Sequence, residues 1–314
     1  MKVPLPLVWL AVWIRRGLSL FLLTMVLTRS SVPVYDRVEQ IRRFTRPVEF
    51  DFLGWTMGAM GVKWTQASLG LTAYLPEAER HDLVTGYLNL LARQAEREAR
   101  LADLLASPAP AEGGEADALR REAEADRIRE DELGSVVETI LQEQASLIVA
   151  DLDLAPIGAP FPPVAFRLSR LPLALVVSPR QVIRQDANLQ ISPDLTLDDQ
   201  IALESEVERT LDVSALVVPV GGIGTYPTMV QQTSALDFVT EVVAHEWIHN
   251  YLTLRPLGLL YDATPELRTM NETAATLMGK EIGRRLIARF YPELAPPPPQ
   301  PAAAEAAGPS APPA

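Results

Sequence analysis

Residues 234–254 read SALDFVTEVVAHEWIHNYLTL, and the placement of their apolar residues decides how the C-terminal half of the chain folds. Apolar residues recur at three- and four-residue intervals, no Pro or Gly interrupts them, and Ser234 and Asp237 have capping-box spacing. A helix is therefore expected through about Leu254. Within it stands His245-Glu246-Trp247-Ile248-His249. Residues four apart on a helix differ by about 40° in azimuth and about 6 Å in rise, so both imidazoles point the same way and can grip one metal ion. Glu246 lies about 100° round the helix, close to such an ion but not forced onto it, where it can take a proton from water activated by zinc. Val242, Val243 and Ile248 are left to pack on a core.

The chain holds only three histidines in 314 residues. A chance His-Glu-x-x-His has an expectation on the order of 0.002 at that composition, so the plain alternative of two surface histidines with an intervening glutamate is a poor explanation. There is no cysteine, which removes disulfides, thiolate metal sites and a cysteine nucleophile, and leaves histidines and carboxylates as the only strong metal ligands.

Two histidines leave a catalytic zinc one protein ligand short. Thr264-Pro265 opens a second helix, expected through about Phe290, that carries Asn271-Glu272-Thr273-Ala274-Ala275. Ala274, Ala275, Thr276 and Gly279 would let it approach the first helix closely, so Glu272 is the expected third ligand, with Glu266 and Glu281 as rivals. Peptide hydrolysis also needs an electrophile for the oxyanion, and Tyr261 and Tyr226 are candidates, although either could be an ordinary core or rim tyrosine. Nothing ties the third histidine, His81, to this chemistry.

HEWIHN followed by NETAA resembles the gluzincins, the thermolysin-like clan of zinc metallopeptidases, over roughly Leu211 to Leu286. The resemblance implies that Glu272 completes a zinc site. It also implies a substrate cleft edged by a strand just before the histidine helix, a place held by VVPVGGIGTYPTMV at residues 217–230. Gly221, Gly222 and Gly224 could leave that backbone open to an extended peptide, or could simply form a Gly-rich turn. The chain departs from the clan at Thr276, where an acid would orient a histidine, so the outer partner of the histidines is left open, with Glu241 and Asp262 as guesses. It lacks the G-x-M-E-N pattern of clan aminopeptidases, which favours an endopeptidase. No histidine follows His249, which excludes a metzincin.

The rest of the chain sets the context. Forty acidic against 28 basic residues give a formal charge of -12, which excludes the phosphate-binding footprint of a nucleic-acid partner. Residues 1–34 hold two apolar runs split by Arg15 and Arg16 and read as a signal peptide or membrane anchor, placing the protein outside the cytoplasm, anchored or secreted. Residues 35–154 read as a helical region. In it, 52–62 is expected as a core helix rather than a second membrane segment, and helices over 76–105 and 114–154 form a hairpin with a Pro/Gly-rich tip. The charge run from Arg120 to Glu132 is most simply a solvated face, the alternative being a coiled coil that recruits a protein partner. A Pro-rich border at Ala155 opens a catalytic domain over 155–294, with strands at 163–177, 181–191 and 213–220 and a helix at 196–211. Residues 295–314 read as a disordered Pro/Ala-rich tail.

The expected protein is thus α+β: a helical N-terminal region followed by a gluzincin-like domain whose small β-sheet packs on the two ligand-bearing helices. It would be a zinc-dependent peptidase acting on peptide or protein substrates. A non-catalytic zinc-stabilised scaffold or peptide-binding protein is the competing class, and a zinc hydrolase of another substrate is a third.

Overall fold

The computed structural model describes residues 5–28, 36–70, 72–106, 114–182 and 184–295. In chain order the elements are α1 (Leu5–Thr28), α2 (Arg37–Thr45), α3 (Phe52–Leu69), α4 (Glu77–Ala106), α5 (Glu115–Asp151), β1 (Phe166–Ser169), β2 (Leu173–Pro179), β3 (Ala187–Ile191), α6 (Leu197–Leu211), β4 (Val213–Pro219), β5 (Gly222–Ile223), β6 (Thr228–Gln231), α7 (Leu236–Thr253), α8 (Pro256–Leu259) and α9 (Pro265–Phe290). The architecture is α+β, mostly helical with two small sheets.

The backbone does not divide at Ala155 as expected. It forms two compact units that interleave along the chain, Met1–Phe50 with Leu173–Val218, and Asp51–Pro172 with Pro219–Ala314. In the first, β3, β2 and β4 form a sheet in that order, with β2 and β3 antiparallel from Leu173↔Ile191 to Val177↔Ala187. Ile41, Leu175, Ile191, Val207 and Val213 form its core. Helix α6 opens on a capping box in which Thr196 accepts from the Asp199 backbone N–H while Asp199 accepts from that of Thr196.

In the second unit the sheet order is β1-β6-β5, with β1 parallel to β6 (Phe166↔Thr228 through Ser169↔Gln231) and β5 antiparallel to it. The expected strand over 163–177 is therefore two strands in two different sheets. Pro172 lies between them and cannot donate to a ladder. The α4–α5 hairpin is not a separate region. Val84, Tyr87, Val137, Ile140 and Ile148 from the hairpin share one core with Phe166, Val243, Trp247, Ile282 and Leu286, because a hairpin with an apolar inner face must find a cover and α7 and α9 provide it.

Two local expectations change. The Ser234–Asp237 capping box does not form. Ala235 takes the N-cap position of α7 and makes no side-chain bond, whereas Thr264 does cap α9 by accepting from Leu267 N–H at 3.3 Å. Helix α3 exists, but only Ala59 and Gln66 are buried, so it is not the core helix expected. Helix α1 runs unbroken through Arg15 and Arg16, and among the described residues no helix is long and apolar enough to cross a membrane. The expectations for residues 1–4, 29–34, the hairpin tip at 107–113 and the tail from 296 lie outside the described residues.

Candidate metal centre

Helices α7 and α9 lie against each other through small residues. Ala275, Gly279 and Gly283 repeat every four positions on the buried side of α9. A Cβ at Gly279 would stand 3.0 Å from the carbonyl oxygen of Glu241 and 3.1 Å from Cβ and N of His245, so the two backbones touch beside the first histidine. Leu236, Val239, Val243 and Trp247 bury the opposite face of α7, and Trp247 donates its indole N–H to the Pro162 carbonyl at 2.8 Å. This leaves His245, Glu246 and His249 on the partly open face.

There the two histidines converge, their Nε2 atoms 3.0 Å apart. Glu272, one side of α9 away, brings Oε2 to 3.6 Å from His245 Nε2 and 3.5 Å from His249 Nε2. Tetrahedral zinc with bonds near 2.0–2.2 Å needs donors about 3.3 Å apart, so the three separations bracket what such an ion requires. His245, His249 and Glu272 are also the one cluster among the described residues whose donor atoms gather closely enough to hold a metal. Three donors rather than four is the count that catalytic zinc sites use. The rivals are elsewhere: Glu281 pairs with Arg284 and Arg285, and Glu266 lies exposed in the first turn of α9.

A second set of contacts orients these side chains. His249 Nδ1 lies 2.7 Å from Asn271 Oδ1, and Asn271 Nδ2 donates to the Leu257 carbonyl at 3.3 Å. With the amide oxygen turned to the ring, Nδ1 carries the proton and the Nε2 lone pair is left for the metal. Neither Glu241 nor Asp262 is that partner; Asp262 pairs with Arg268. Asn271 stood in the sequence beside Glu272, and a polar residue on the inner side of a close-packed helix was the signal that could have revealed it. The Tyr261 hydroxyl donates to Glu272 Oε1 at 2.5 Å, leaving Oε2 for the cluster. Burial, with the hydrogen bond and charge of Glu272 adding to it, pushes the Tyr261 hydroxyl up to about 12. Tyr226 does not join the site, since its hydroxyl donates to the Pro163 carbonyl at 3.1 Å. His81 lies on α4, where it pairs with Glu293.

Glu246 is covered by β5 and the residue after it. Cβ atoms at Gly222 and Gly224 would stand 3.2 and 3.0 Å from its two carboxylate oxygens. A Cβ at Gly221 would meet the Phe238 ring at 3.1 Å, and one at Gly222 would meet Val242 Cγ1 at 2.7 Å. The glycines thus let this segment lie directly on the Phe238–Val242–Glu246 face of α7. Burial first, and the charge of Glu272 second, raise the Glu246 carboxyl to about 7, and burial lowers His245. β5 is also an outer strand of its sheet, so a backbone edge lies beside the carboxylate.

No protein-family model, curated protein or solved structure matches this chain.

Proposed function

We propose that this protein is a zinc-dependent endopeptidase of gluzincin type, in which His245, His249 and Glu272 hold the metal and Glu246 is the general base. The observation that carries the reading is the convergence of His245 Nε2, His249 Nε2 and Glu272 Oε2 at the mutual spacing of zinc ligands. Zinc bound there supplies Lewis-acid polarisation of a carbonyl and acidifies water. Asn271 keeps His249 in the ligating tautomer, and Tyr261 holds one oxygen of Glu272 so that the other faces the metal. In this arrangement the Tyr261 proton is committed to Glu272, which makes it a positioning residue rather than a donor to the oxyanion. Glu246 accepts a proton from the attacking water and passes it to the departing amine. An extended peptide fits beside Glu246 by adding to the edge of β5 through main-chain hydrogen bonds.

The test pairs metal content of the purified protein with turnover of a diverse quenched-peptide library by the wild type and by Glu246→Gln. About one zinc per chain, with turnover abolished in the variant and metal retained, is the expected result. Zinc without turnover in the wild type would favour the non-catalytic scaffold, and no zinc after supplementation would overturn the metal centre itself.

A further inference from the structure

Helix α3 is inverted in polarity. Its lysine and glutamine face the protein: the Lys63 ammonium lies 2.8 Å from Glu138 Oε2, and Gln66 donates to the Ser135 carbonyl at 2.9 Å and to the same Glu138 oxygen at 3.2 Å. Five of its large apolar side chains face away. Leu53, Met57, Met60, Trp64 and Leu69 are exposed, Trp64 to 76%. Lys63 is the one charged residue between Phe52 and Leu69, and it is turned inward, so the outer face carries no charge. A helix bathed in water on a soluble domain has the opposite pattern.

The two outward hydroxyls do not oppose that pattern. Thr65 donates to the Gly61 carbonyl at 3.0 Å and Ser68 to the Trp64 carbonyl at 2.7 Å, so each is satisfied within the helix and asks nothing of its surroundings. Both ends are closed as well, by Asp51 accepting from Gly54 N–H and by Gly70 in the left-handed conformation at φ 55°.

We infer that the outer face of α3 is a lipid-contact surface, seating the helix flat in the headgroup–acyl boundary of a bilayer. Eighteen residues span about 27 Å and do not form a crossing segment, which fits a helix lying in the plane with its apolar side down. Trp64 has the amphipathic ring suited to that depth. The same chain carries a second apolar helix, α1, with Trp13, Ile14 and Phe21 exposed, so two helices present side chains that water does not favour. With no cation on the α3 face and a chain charge of -12, the contact is apolar and independent of anionic lipid.

The absence of cysteine makes a site-by-site test clean. Met57→Cys, Trp64→Cys and, as an aqueous reference on exposed α4, Glu96→Cys are each made in the full chain and labelled with a nitroxide. Collision with oxygen and with a water-soluble nickel chelate is then measured before and after adding phosphatidylcholine vesicles, with co-sedimentation recorded in parallel. Labels at 57 and 64 are expected to gain oxygen and lose nickel collisions several-fold on vesicles while the label at 96 is unchanged. Aqueous values at 57 and 64, whether or not the protein sediments with vesicles, would overturn the proposal. So would spin–spin broadening that persists in vesicles, which would assign the face to a second copy of the chain.

Discussion

His249 Nδ1 lies 2.7 Å from Asn271 Oδ1, and that contact decides which nitrogen of the ring is free to ligate. Asn271 is 1% exposed, so its loss also strips the Leu257 carbonyl of a partner. Asn271→Leu is expected to weaken zinc binding by about 10- to 100-fold and to cost about 1–3 kcal/mol of stability. Asn271→Asp should retain most of the affinity. Chelator competition and thermal unfolding of the metal-free protein measure the two effects separately, and unchanged affinity in Asn271→Leu would remove the orienting role.

Gly279 is where α9 meets the backbone of α7 at His245. Gly279→Val has to separate the helices, at about 1–3 kcal/mol, and it moves Glu272, two turns earlier on the same helix, away from the histidines. The expected outcome is a lower melting temperature together with weaker zinc binding. A variant that loses stability yet binds zinc as before would show that the helix contact does not set the ligand spacing.

Glu138 is 1% exposed and gathers the Lys63 ammonium, Arg167 and the Leu168 N–H, the last at 2.9 Å. Glu138→Ala leaves a lysine that is already shifted downward by burial without its counter-charge, which in comparable buried pairs costs about 3–5 kcal/mol. Adding Lys63→Met should recover part of that loss, a coupling read from denaturant unfolding of the two single variants and the double variant.

His81 is raised above its ordinary 6.5 chiefly by its hydrogen bond to Glu293, with Asp82 adding to it. Glu293 is lowered from 4.5 by its own backbone hydrogen bond first and by His81 second. For the histidine, the stabilisation is complete below 6.5 and disappears as pH rises through its raised folded value. For the glutamate it is complete above 4.5 and disappears as pH falls through its lowered folded value. The pair therefore contributes between those limits, and modestly, because both groups are partly exposed. Comparing wild type with His81→Gln, the stability difference expected near pH 6 should shrink as pH rises through the raised folded value of His81; a difference that grows with pH would reverse the assignment.

The convergence of these side chains was legible because a helix converts sequence spacing directly into azimuth. His245, Glu246 and His249 share one turn, and Ala275 and Gly279 announce a close-packed partner bearing Glu272. What the chain conceals is anything set by residues distant along it. Phe238 and Val242 give Gly221 and Gly222 their purpose, yet nothing local to either glycine points to them. Tyr261 and Tyr226 read alike until one finds Glu272 and the other the Pro163 carbonyl. The Pro-rich stretch after Ala155 looked like a border because its composition changes there, but burial assigns the hairpin before it to the core of α7 and α9. Inverted polarity in α3 was equally hidden, since an apolar run reads the same whether it faces a core or away from one.

The parallel pairing of β1 with β6 has a consequence for how the chain comes off the ribosome. Phe166 and Thr228 are about 60 residues apart, with β2, β3, α6, β4 and β5 synthesised between them. The α4–α5 hairpin must therefore wait, its inner side chains uncovered, until α7 and α9 have followed. A fragment begun at Ala155 would keep α7 and α9 but lack the hairpin they pack on, leaving their shared core open. Helices α7 and α9 thus complete their core only against the hairpin, and truncation from the N-terminal side should abolish their folding well before it reaches His245, His249 and Glu272.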